Sequence, residues 1–326
     1  MNAASPVPTL TGTIQQQFVL YANNRPQAQC VLLLDPTLRD AGDDADFAQC
    51  LEDWRANSGN DQPLPRILWR HPNLMSEHRP YMIALDPRRE ADAQLLAASL
   101  QFALDDWALS SLEQSRGHRI CGWLFTQQDL AQYLGDLAVQ RLPSVGYGSG
   151  KRTLLRYFDP SVMPALWRIS DIEQQRTLLG PVDQWLALGR NGQLQRYQAA
   201  SSAAPLSDKA RIDYSAGQWD AIQNIGALNQ TIVQWQSNSE DKQPPQSTSL
   251  EAVESALLRA RRYGITDTQD LKAFAWHVLT VHPRFDMHSM IQEALKQLPA
   301  EKYYRAAVAD LTEQDWRQVQ LESTSR

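Results

Sequence analysis

Over the first two thirds of the chain, short apolar runs punctuated by turn residues alternate with longer stretches of helical period. The runs are Phe18 to Ala22, Cys30 to Leu34, Arg66 to Trp69, Tyr81 to Leu85 and Arg119 to Phe125, each bounded by Pro, Asp, Asn or Gly, and that length and punctuation predict strands. Between them, Ala45 to Ala56 and Glu90 to Gln114 repeat apolar residues at spacings of three and four, as in Leu95, Leu96, Leu100, Ala103, Leu104 and Trp107. That period predicts helices packing one face on a sheet. A third helix is predicted over Gln128 to Val139, followed by a β-hairpin around the glycine-rich turn Gly146 to Gly150. Thr153 to Phe158 is apolar on both faces except for Arg156 and reads as a central strand. A partly buried arginine needs a carboxylate, and Asp159 is the nearest candidate; it also suits an N-cap with Pro160 at the first helical position. Trp185 to Leu188 and Leu194 to Tyr197 bracket Asn191-Gly192, the strongest hairpin signal in the chain.

Beyond a small-residue linker, Gln198 to Ser207, only helical signals remain. The polar tract Ser237 to Ser249 is expected to be disordered. After it, Thr248 with Glu251 forms a capping box, Gly264 ends a helix, Thr266 with Gln269 opens the next, and Asp286, Pro299 and Thr312 punctuate the rest. Leu271, Phe274, Val278 and Leu279, then Met290, Ile291, Leu295 and Leu298, form apolar stripes suited to mutual packing. The expected class is therefore α+β. A mixed sheet-and-helix lobe covers 1–197, a linker with one helix and the polar insertion covers 198–249, and an all-α lobe covers 250–326.

Composition narrows the function classes. The 326 residues are 43% hydrophobic and 21% charged, as in folded domains, and the formal charge of −6 supplies no basic field for nucleic acid or an anionic membrane. The start of the chain lacks a basic region followed by an apolar one, and no apolar run approaches the ~18 residues of a membrane span. Cys30, Cys50 and Cys121 are far apart and odd in number, which reads as reduced thiols. A cytoplasmic chain with neither nucleic-acid nor membrane partners is expected. Charge is uneven: Asp35 to Asp61 holds eight acids and two arginines, Arg141 to Arg196 eight bases and four acids. Such runs read as solvated faces, or as a polarised surface that orients protein partners.

Candidate chemistry is sparse. Gly146 to Lys151 has the glycines and lysine of a phosphate loop, but Val145 occupies the first glycine position and Arg152 the Ser/Thr position. Tyr147 and Lys151 replace the glycines of a nucleophile elbow around Ser149. The histidines fall into two groups, His71 and His78 near Glu77, and His277, His282 and His288 near Asp286, neither in H-E-x-x-H spacing. His277 and His282, five apart, would point about 140° apart on a helix and could not chelate one ion. Adjacent acids such as Asp105-Asp106 diverge on a helix and form no acid–base pair. No catalytic residue, cofactor or metal is assigned. Ten tryptophans exceed what the size requires, and any left exposed would suit a partner site.

From Arg141 to Tyr197 the chain closely resembles the DUF4123 family, adaptor chaperones of bacterial type VI secretion. The resemblance is carried by RYFDP at Arg156 to Pro160, by LLGPVDQW at Leu178 to Trp185, and by the hairpin LGRNGQLQRY ending at Tyr197. CVLLLDPTL, RPYMIALDP and GWLFTQQDLAQYL are weaker echoes upstream, and ARRYGITDTQDLKAFAWHVLTVHPRFD resembles the helical lobe of many members. The tract Ser237 to Ser249 departs from the pattern as an insertion. The resemblance implies a cytoplasmic, non-enzymatic binding protein. Its partners would be a toxin effector, held at a PAAR-containing or transmembrane-like segment, and the spike protein onto whose tip the effector is loaded. Arg156, Asp159, Pro160, Gly180 and Pro181 are then expected to be structural, with Trp185, Tyr157, Arg152, Trp276 and Phe285 as candidate partner contacts. The alternative is a hydrolase or modifying enzyme using the His277 to His288 region.

Overall fold

The structure is a computed structural model that describes residues 5–36, 45–59, 64, 79–128, 130, 155–199, 212–240 and 243–324. Contacts divide the chain into two compact units, Met1–Tyr214 and Ser215–Arg326. The expected strand at 66–69, most of the helix expected over 128–139, and the hairpin around 146–150 lie outside the described residues.

The first unit is built on an antiparallel five-stranded sheet in the order β2-β1-β3-β4-β5. Its strands are β1 (Gln29–Leu34), β2 (Tyr81–Leu85), β3 (Ile120–Thr126), β4 (Val182–Leu188) and β5 (Leu194–Tyr197). The period-two pattern divides the side chains between two buried faces. Cys30, Leu32, Leu34, Ile83, Trp123, Phe125 and Leu186 share one core with α1 (Val7–Ala22), α2 (Ala45–Ser58) and α3 (Glu90–Asp106). On the other face, Trp185 meets Tyr157, and Tyr197 meets Trp167 of α5 (Met163–Ile169). A sheet covered on both faces explains why β1 and β3 read as unbroken apolar runs. The α+β class holds.

Three expectations are corrected here. Phe18 to Ala22 is not a strand: it is the last turn of α1, whose Ile14, Phe18 and Tyr21 follow the three-four period of a buried helical stripe. The helix expected over Glu90 to Gln114 breaks at Trp107-Ala108 into α3 and α4 (Leu109–Glu113). The Trp107 indole N–H donates to the Leu188 carbonyl, and the Asp106 carboxylate accepts from Arg119, so the chain is tied to the sheet where a continuous helix would leave it. Leu155 to Phe158 is not a strand either. The chain turns there, with the Asp159 N–H donating to the Arg156 carbonyl at 3.1 Å, while 153–154 lie outside the described residues.

The β4–β5 hairpin is present. Gly189 N–H donates to the Gln193 carbonyl, and Gly192 alone takes the left-handed conformation, φ 71°, which closes a three-residue loop with a bulge. Before β4, α6 (Ile172–Leu179) starts at a capping box between Asp171 and Gln174 and stops at Gly180, φ 54°.

The second unit is helical: α7 (Ala216–Asn238), α8 (Ser247–Arg262), α9 (Thr268–Thr280), a 3-10 turn (Phe285–Met287), α10 (Ser289–Lys296), α11 (Leu298–Glu301), α12 (Tyr304–Ala307) and α13 (Glu313–Thr324). The helix assigned to the linker belongs to this core, because Ala227, Leu228 and Ile232 of α7 pack with Val253, Leu257 and Phe274. Helix also replaces both ends of the tract expected to be disordered, and Pro245 within it is buried. Thr248 sits inside α8 rather than capping it, and Asp267 rather than Thr266 caps α9 by accepting from the Gln269 and Asp270 N–H groups. Gly264 ends α8 as expected, with the Ile265 N–H reaching back to the Ala260 carbonyl at 3.1 Å. Among the described residues no helix is long and apolar enough to cross a membrane.

Candidate functional site

The RYFDP turn and Asp35, directly after β1, meet in the first unit around one buried polar node. Arg156 donates to the Asp35 carboxylate at 2.5 Å, across 121 residues of sequence. Asp35 follows directly on β1, and its own N–H donates to the Arg119 carbonyl at the start of β3. Asp159 therefore does not pair with Arg156. Its carboxylate instead meets His118 Nδ1 at 3.1 Å and accepts from the Ser161 N–H and hydroxyl at 2.8 and 2.7 Å. Nor is it a helix N-cap: three residues of turn separate Asp159 from α5, with Pro160 among them, because the carboxylate holds Ser161 in a tight turn first.

Around this pair the charges are matched. Arg119 reaches Asp106 through Nε at 3.0 Å and a terminal nitrogen at 2.8 Å, and lies over the Phe102 ring at 4.6 Å. The His118 ring stacks on Trp107 at 4.2 Å, and Arg190 lies 5.0 Å from the same indole. Burial alone would raise the Asp159 carboxyl, but the hydrogen bond with His118 and the His118 and Arg156 charges hold it at about 2. Burial, and then the Asp35 and Asp159 charges, push the neighbouring Cys121 thiol well above its ordinary value, so it stays protonated and unreactive. Replacing both partners of such a buried pair by apolar residues is often neutral, whereas losing one partner is costly. Here the pairs fix the turn carrying RYFDP against the ends of β1 and β3.

The candidate partner contacts divide by burial. Trp185 and Tyr157 are fully buried and pack edge-to-face at 6.3 Å. The Trp185 indole N–H donates to the Cys121 carbonyl at 3.2 Å. The indole fits because Gly122, in mid-strand with φ 144°, has no side chain: a Cβ there would run into the Trp185 ring and sit 2.5 Å from the Leu186 carbonyl oxygen. Phe285 is likewise fully buried, between Phe274 and Trp316. These three are core residues and offer no surface to a partner, since the largest apolar side chains gain most from complete burial. Trp276 is half-buried, 6.3 Å from Trp235, and Arg152 lies outside the described residues. Gly180 and Pro181 are structural: the first ends α6, and the second accepts a hydrogen bond from Thr126 through its carbonyl.

The histidines of the second unit do not converge. His277 Nδ1 meets the Tyr304 hydroxyl at 2.6 Å and its ring stacks on Trp316 at 4.2 Å; burial lowers it from 6.5 to about 4. His282 accepts from the Arg284 N–H, while His288 accepts from the Met290 N–H and faces Glu322 at 2.9 Å. Asp286 is engaged by Arg259 through two bonds of 2.8 Å and by the Tyr263 hydroxyl. Each group serves a cap, a stack or an ion pair. Among the described residues no three His, Cys, Asp or Glu side chains are grouped to hold a metal.

No family model, curated protein or solved structure matches the chain.

Proposed function

We propose that this chain is a cytoplasmic adaptor that holds a toxin effector of a type VI secretion system and helps load it onto the spike tip. One observation carries the reading. Three segments that resemble the DUF4123 pattern are joined, RYFDP to CVLLLDPTL through Arg156 with Asp35, 121 residues apart, and RYFDP to LLGPVDQW through Tyr157 with Trp185, 28 residues apart. Residues that resemble a family one motif at a time thus act on one another, as parts of one scaffold do. In this reading the motif residues do not touch the effector. They hold the sheet and its covering turn rigid, and the partner is met by surface residues on that frame, at low reorganisation cost. A transmembrane-like or PAAR-containing segment exposes apolar surface that aggregates if left uncovered, so the complex would bury on the order of 2,000 Å² or more.

The test is a deletion strain that still fires its secretion system, read by release of the spike. One effector should vanish from the secreted fraction and return on complementation. An unchanged set of secreted effectors would refute the proposal.

A further inference from the structure

The polar face of α2 lies beside the start of α3 and leaves a groove there. Its cavity measures about 320 Å³, at the small end of ligand sites, which run from about 300 to 1,000 Å³. Trp54, Leu95 and Cys50 contribute to its apolar bed, and Asp46 and Asp53 stand on α2 above it. Among the described residues no lysine or arginine lines the groove, and its charged lining groups are Asp46 and Asp53, both exposed. Asp46 and Asp53 are two helical turns apart, about 10 Å along the axis. That is too far to share one metal ion, but it matches two cations two turns apart on one face of an opposing helix. An apolar bed below a carboxylate rim accommodates the methylene stem and charged head of lysine or arginine together.

We infer that the groove between α2 and α3 is a docking site for a basic helical segment of a protein partner, which presents two cationic side chains about two turns apart. The partner's identity as the effector rests on the adaptor reading above; the groove's preference for such a segment does not.

Cys50 provides the reporter. It lines the groove and is half-buried, whereas Cys30 and Cys121 are buried. Burial and then the Asp53 charge raise its thiol, so alkylation of the full chain by iodoacetamide is followed at mildly alkaline pH. The probe is a synthetic alanine-based helix of about 15 residues carrying two arginines two turns apart. At about ten times its Kd it should slow Cys50 alkylation about tenfold. The same peptide with glutamines in place of the arginines should not protect, and neither peptide should protect the Asp46→Asn/Asp53→Asn chain. Equal protection by the glutamine peptide, or none by the arginine peptide, overturns the inference. In cells, a partner recovered equally by wild-type and Asp46→Asn/Asp53→Asn chains overturns the groove and leaves the adaptor standing. No partner on either chain overturns the adaptor, while the peptide assay still decides the groove.

Discussion

Acidification should loosen the second unit through a single ring. His277 sits between Tyr304, Phe285 and Trp316, and its environment favours the neutral imidazole, with burial lowering it from 6.5 to about 4. Between those two values the unfolded chain binds a proton that the folded chain refuses, so stability rises with pH across the window and falls as pH drops through it. At 1.36 kcal/mol per pH unit the gap is worth about 3 kcal/mol, reduced toward about 2 because water reaches part of the ring. That is a large share of the roughly 5–15 kcal/mol that holds a domain together. The assay is urea unfolding of wild type and His277→Phe at pH 7 and pH 4. Phenylalanine keeps the aromatic stack but leaves the Tyr304 hydroxyl without its partner, so the variant should be less stable by about 1 kcal/mol at pH 7. At pH 4 the order should reverse, because only wild type has a proton to accommodate. Parallel losses in the two proteins would refute the reasoning.

Other perturbations address the first unit. Gly122→Ala should cost about 2–4 kcal/mol by forcing a Cβ against the Trp185 indole at a positive φ, and Trp185→Leu in the same chain should recover part of the loss; both are read by denaturant midpoints. Arg156→Met removes the guanidinium that Asp35 pairs with and should cost about 3–5 kcal/mol, whereas Asp35→Leu with Arg156→Met should restore most of it. Equal losses in the single and double variants would show that the pair is not the coupling between the RYFDP turn and β1. Alanine at His277, His282 and His288 should leave effector capture and secretion intact, and loss of the secretion phenotype with capture retained in a folded chain would favour the enzyme reading.

What the sequence disclosed follows from how local each signal is. β1, β2 and β3, the 189–193 turn and the Gly264 cap are visible because run length, turn chemistry and a helix stop act over a few residues. Phe18 to Ala22 misleads because five apolar residues fit a buried strand as well as the end of an amphipathic helix, and only Ile14 one turn earlier separates them. The polar node is where locality fails. A buried Arg156 does require a carboxylate, but the nearest in sequence is taken by His118, and the one used ends a strand 121 residues away. The available signal was Asp35 itself, an acid directly after an unbroken apolar strand, where a buried charge demands a distant partner. Trp185, Tyr157 and Phe285 stand out as aromatic anchors in the sequence, yet size serves a core as well as an interface, and burial decides between them.

The most direct measurement is affinity capture of the tagged chain from a lysate of its native cells, with mass spectrometry of the retained proteins and the size-exclusion mass of the complex. An adaptor should retain one toxin-like effector in a fixed ratio, with or without the spike protein, and should itself be missing from the secreted fraction. Recovery of the chain alone, from cells that express the effector and fire the system, would contradict it.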